Sequence, residues 1–156
     1  MCKMLRRSKV SEQKARWAIE QYNIWSESAY IDSMCFDTQQ SIEFLLKGIL
    51  LSYGVDFKKI HEIDHLVDLV KENVPIEFSR LKELDTLATT ITYWEEGSRY
   101  DSGIRTTVNT VRRCLNIYDS IIKEFLEEQE QMQTISNEKT VDDMENSSED
   151  EEDIDL

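Results

Sequence analysis

Between Ser33 and Gly54 the chain reads SMCFDTQQSIEFLLKGILLSYG, and no other stretch limits the fold as tightly. A capping serine opens it and a glycine closes it, so both ends of a helix are signalled. Within it Cys35, Ile42, Leu45, Leu46, Ile49, Leu50 and Tyr53 recur near helical spacing, an apolar stripe that at least two neighbours must cover. Gln39, Gln40, Glu43 and Lys47 fall at the edge of that stripe. In the plainest reading Glu43 and Lys47, four residues apart with the acid first, are an exposed pair worth ~0.3 kcal/mol.

The flanking segments read as helices arranged to cover it. Ser11 is a plausible N-cap for a first helix carrying Ala15, Ala18, Tyr22, Trp25 and Ala29 on one face. Asp32-Ser33 can end that helix and cap the next, which predicts a short-loop antiparallel hairpin. After Gly54 a third helix is expected from near Glu62, with Leu66, Leu69 and Val70 inward and Pro75 as its stop. A fourth, over about 76–90, presents Phe78, Leu81, Leu84, Leu87, Ala88 and Ile91, and TYWEEGSRYDSG over 92–103 reads as a loop. From Ile104 the period resumes with Val108, Val111, Leu115, Tyr118, Ile122 and Phe125. No strand-like alternation occurs, so the chain is all-α. The predicted core is drawn from Trp17 or Ala18, Tyr22, Trp25, Ile42, Leu45, Leu46, Ile49, Leu66, Leu69, Leu84, Leu87, Val111, Leu115 and Tyr118.

At 156 residues the chain suits one domain with a real core. Its net charge of −14 is unevenly held: residues 127–156 contain 13 of the 32 acids and only Lys139 among the bases, which leaves −2 for the body. Residues 1–10 therefore read as a basic N-terminal segment, 11–126 as the helical body, and 127–156 as a helix end and acidic tail. Over 138–156 bulky side chains are too few to offset chain entropy, so disorder is expected there, with Ser147 and Ser148 placed before acids as conceivable phosphorylation sites. Cys2, Cys35 and Cys114 lack CxxC spacing and read as reduced, mostly buried thiols of a cytoplasmic protein. No apolar signal core follows the basic start and no run is long enough to span a bilayer, so neither secretion nor membrane insertion is expected.

Two constellations carry chemistry. HEIDH, from His61 through Glu62 to His65, spells the HExxH string of zinc proteases. It begins at a loop-to-helix junction with no third ligand at metzincin spacing, so a chance occurrence in a polar first turn is the expected reading and no metal or other cofactor is assigned. Arg99, Arg105, Arg112 and Arg113 gather basic charge, with Arg105 and Arg112 seven residues apart on one side. Guanidinium forks suit phosphate or carboxylate, yet the commoner reading is a solvated face paired with neighbouring acids.

Taken in order, Cys35-Phe36, Gln39-Gln40, Glu43 and Lys47, then Gly54, His65-Leu66 and Leu69, then Arg99-Tyr100 before a final helix resemble the HEPN family over about residues 11–126. The resemblance implies an up-and-down bundle of four to five helices that dimerises. It further implies a non-catalytic module whose second helix and Arg99 loop form a cleft for a nucleotide or a protein partner, lined by Gln39, Gln40, Glu43, Lys47, Arg99 and Tyr100, with Arg105 nearby. An alternative is one subunit of a two-gene toxin and antitoxin pair with a minimal nucleotidyltransferase. A ribonuclease is disfavoured, because the family's Arg-x(4–6)-His motif is missing: no arginine lies between Arg16 and Arg80, while both histidines do. Many relatives open the third helix with His-Asp-Leu, a place that either His61 or His65 takes here.

Overall fold

The computed structural model describes the backbone of residues 2–95 and 104–152 and the side chains of 2–94 and 107–145. Five helices account for the described elements: α1 (Lys3–Trp25), α2 (Ala29–Ser52), α3 (Ile63–Asn73), α4 (Leu81–Glu95) and α5 (Ile104–Glu152). Contacts divide the chain into two units, Met1–Ile122 and Lys123–Leu156. Unit one is an all-α bundle in which α2 packs against α1, α3 and α4, and α3 against α4. No helix among the described residues is long and apolar enough to cross a membrane.

The α1–α2 hairpin forms as expected but in a different register. α1 starts at Lys3 instead of after Ser11, so most of the basic segment 1–10 is helix. The reason is tertiary: Leu5 and Ser8 are buried, and both are tied to α2. Ser8 Oγ donates to the Ser41 carbonyl at 2.6 Å and, with its one proton spent there, accepts from the Tyr118 hydroxyl on α5 at 2.9 Å. Close approach is possible because α2 offers Gly48, where a Cβ would lie 2.7 Å from Leu5 Cδ2. Glu12, also buried, is held by Arg16, which reaches on to Asp119 of α5 at 2.7 Å. The turn between the helices is Ser26–Ser28, not Asp32-Ser33, and Ser26 ends α1 at φ 56° with its N–H on the Tyr22 carbonyl.

Ala15 and Ala18 face the core, as expected, whereas Trp17 and Trp25 are 55% and 63% exposed and Tyr22 is half-buried. Helices this close leave room between them for small side chains and not for indoles. From α2, Cys35, Ile42, Leu45, Leu46, Ile49 and Leu50 are buried, and from α3 Leu66 and Val70. Leu69 is only half-buried, with Ile63 and Val67 taking the inner positions. The fourth helix runs later than the pattern suggested, Leu81–Glu95, with Leu84, Ala88, Ile91 and Trp94 inward and Leu87 half-buried. Val108, Val111, Leu115, Tyr118 and Ile122 line the inner face of α5. Burial pushes the Cys35 and Cys114 thiols up to about 12, while Cys2 is exposed.

Unit two differs from the expectation of disorder over 138–156: α5 continues through Glu152, and residues 153–156 lie outside the described residues. After Gly103 the sequence has neither glycine nor proline and is rich in Glu, Gln and Met, so nothing local interrupts the helix. Over 131–145 every side chain is exposed. Met132, Ile135, Val141 and Met144 are scattered around it and form no stripe.

Candidate functional site

One row along α2 brings together Phe36, Gln40, Glu43 and Lys47 at spacings of four, three and four residues. The segment after α2 then folds back on that row. Gly54, at φ 68°, closes the helix in a Schellman arrangement in which the Val55 N–H reaches the Leu50 carbonyl and the Gly54 N–H that of Leu51. Asp56 Oδ1 accepts from the Lys58 N–H at 2.8 Å, and Ile60 N–H from the same turn donates to the Phe57 carbonyl. These two turns, with Lys58 at φ 43°, set Phe57 and His61 beside Lys47.

Glu43 and Lys47 are not the exposed pair of the plainest sequence reading. Their side chains are 4% and 7% exposed, and Nζ lies 3.8 Å from Glu43 Oε2. His61, whose side chain is 56% exposed, puts Nδ1 3.1 Å from Glu43 Oε1 and 3.5 Å from Lys47 Nζ. A carboxylate only accepts, so the shorter contact puts the proton on Nδ1 and leaves Nε2 as the free acceptor of the ring. His61 then offers Lys47 no lone pair at Nδ1. The ammonium is held by charge attraction and by the Phe57 ring at 5.3 Å, and among the described residues it has no polar contact shorter than 3.5 Å.

The two glutamines add a second unspent donor. Gln39 is fully buried; its Oε1 accepts from Gln40 Nε2 at 2.9 Å, and its own Nε2 has no partner among the described residues. Lys47 Nζ and Gln39 Nε2 thus keep unspent donor capacity, which a group with anionic oxygens complements. Three expected residues, Gln40, Glu43 and Lys47, lie along one row, with Gln39 buried beside it. Arg99 and Tyr100 lie outside the described residues, as does the Arg105 side chain. Phe57 has no periodic signature as a single aromatic in a loop, and His61 reads in the sequence as a metal ligand or as the family's helix-opening histidine, neither of which sets it beside Lys47.

The HEIDH string does not make a zinc-protease helix here. His61 precedes α3, which begins at Ile63, so only His65 is helical. His65 is paired elsewhere, with Glu62 at 3.7 Å and Asp64 at 4.0 Å. Among the described residues no cluster of three His, Cys, Asp or Glu side chains could hold a metal. The arginines of α5 also separate: Arg113 Nε donates to Glu83 of α4 at 2.7 Å, while Arg112 lines a shallow groove with Arg16, Glu20 and Asn116.

Compared with known families, residues 9–129 match the family model of the HEPN domain. No curated protein and no solved structure gives a significant match.

Proposed function

The chain belongs to the HEPN domain family, and on that footing we propose that it is a binding module, not an enzyme, whose ligand is the phosphate group of a nucleotide. The observation that carries this reading is the Lys47 ammonium: nearly buried, with its acceptors no closer than 3.5 Å. All of its polar contacts are long, so a phosphate oxygen at Nζ would add the short charge-assisted hydrogen bond it lacks. Gln39 Nε2 and the Gln40 amide supply further donors beside it, and the exposed Phe36 ring one turn from Gln40 is available to stack on a base. Arg99, Tyr100 and Arg105 keep the roles the family resemblance gives them, as additional phosphate and stacking groups.

Titration calorimetry with the four common nucleoside triphosphates tests this, wild type against Lys47→Met, which keeps the aliphatic stem and removes the charge. The wild type should bind at least one of them, and the variant should bind it about 10- to 100-fold more weakly with an unchanged circular dichroism spectrum. Absence of heat with every nucleotide removes the reading. The second reading, a subunit paired with a minimal nucleotidyltransferase, is supported by the anionic run in 127–156, which suits a basic partner. A short nucleotidyltransferase reading frame beside the coding sequence, and co-purification of its product, would favour it.

A further inference from the structure

His61 stands between a carboxylate and an ammonium. Its Nδ1 lies 3.1 Å from Glu43 Oε1 and 3.5 Å from Lys47 Nζ, so at one ring atom the first neighbour favours the charged imidazolium and the second opposes it. From the start of α3, Glu62 Oε2 accepts from the His61 backbone N–H at 3.3 Å and lies 3.7 Å from His65 Nδ1. The preceding turn sets the uncharged Phe57 ring beside Lys47 and carries Asp56, Lys58 and Lys59, all exposed. The His61 side chain is itself more than half exposed, and its Nε2 has no hydrogen bond among the described residues.

While the ring is neutral its one proton is spent on Glu43, and Nε2 carries only a lone pair, which a phosphate oxygen cannot use. The positive charge on Lys47 is then offset by Glu43, 3.8 Å away. Uptake of one proton makes Nε2 a donor and places a second positive charge within one ring width of Nζ. Two cations that close repel each other, and an anion beside both relieves the repulsion, so anion and proton each favour the binding of the other. Resting on the phosphate reading above, we propose that this site takes up its phosphate together with a proton, with His61 Nε2 as a second, pH-dependent donor beside Lys47. Affinity then rises as the pH falls through the range in which an imidazole gains its charge, from about 8 to about 5.

Inorganic tripolyphosphate, the part common to the four nucleotides, is the probe, since its own titration is the same whichever variant it meets. Calorimetry at about pH 8 and about pH 5.5 compares wild type with His61→Gln, whose amide can still donate to Glu43 but gains no charge. The two dissociation constants should agree within about twofold at the higher pH, and that of the variant should be about tenfold larger at the lower. Independently, the NMR titration midpoint of the His61 ring in the unaltered protein should rise by about one pH unit in saturating tripolyphosphate, the same tenfold read from the side of the proton, while that of His65 moves less. A ratio of dissociation constants that is equal at both pH values overturns the inference and leaves the phosphate reading standing. So does a His61 midpoint that the anion does not move. Absence of tripolyphosphate binding at either pH overturns the inference as well, and the nucleotide titrations then decide the phosphate reading separately.

Discussion

A single absent Cβ, at Gly48, sets how near α1 comes to α2. Alanine there would put a methyl 2.7 Å from Leu5 Cδ2 and 2.8 Å from its Cγ, so Leu5 must move. Helix propensity favours Ala over Gly by ~1 kcal/mol, and overpacking costs ~1–3 kcal/mol, so the second effect decides the sign. Gly48→Ala should therefore lower the urea midpoint. In a Leu5→Ala background, where the obstructing side chain is gone, the same change should leave it unaltered or raise it. Equal effects in both backgrounds would show that the contact does not limit the approach. Gly54 is the opposite case: its φ of 68° is a matter of backbone alone, and its helix-ending role is visible in the sequence.

Between elements, the clearest electrostatic tie joins α4 to α5. Glu83 accepts from Arg80 at 2.9 and 3.0 Å and from Arg113 at 2.7 Å. Those hydrogen bonds, Arg80 first, hold its carboxyl down at about 2, against an ordinary 4.5. A carboxyl depressed in the folded state stabilises fully above its unfolded value and loses that contribution as the pH falls through its folded value. Glu83→Gln should thus destabilise the protein near neutral pH, and the gap to wild type should close between about 4.5 and about 2. Urea unfolding of both proteins across that range reads it directly, and a gap that does not change with pH would assign the loss to packing. The same contact explains why Arg113 is no part of an anion site. Its seven-residue register with other arginines is a helix-surface fact, whereas its partner is chosen by α4.

For the molecule as a whole, the division at Ile122 and Lys123 matters more than the length of α5. The acidic residues from Glu138 to Glu145 lie on a helix whose side chains from 131 to 145 are all exposed, so they bury no apolar surface there. Removing 138–156 should leave the thermal midpoint of the remaining chain unchanged. A loss of several degrees would mean that the segment contributes to folding after all. The deletion also removes much of the net charge, so association with basic partners, read at low salt, is where its effect belongs.

What the sequence determined by itself is what depends on neighbours within a few residues. Helical periodicity, the breaks at Gly54 and Pro75, the restart at Ile104 and the common row of Gln40, Glu43 and Lys47 all follow from 3.6 residues per turn and from local backbone preference. Tertiary structure alone decided that the Glu43–Lys47 pair is buried, because the loop carrying Phe57 and His61 returns over it from fourteen residues further along. It decided likewise that α1 begins at Lys3, anchored by Gly48, Ser41 and Tyr118, and that its tryptophans face outward. Burial is set by which distant segment arrives on a face, and helical spacing marks the face without naming the segment that covers it.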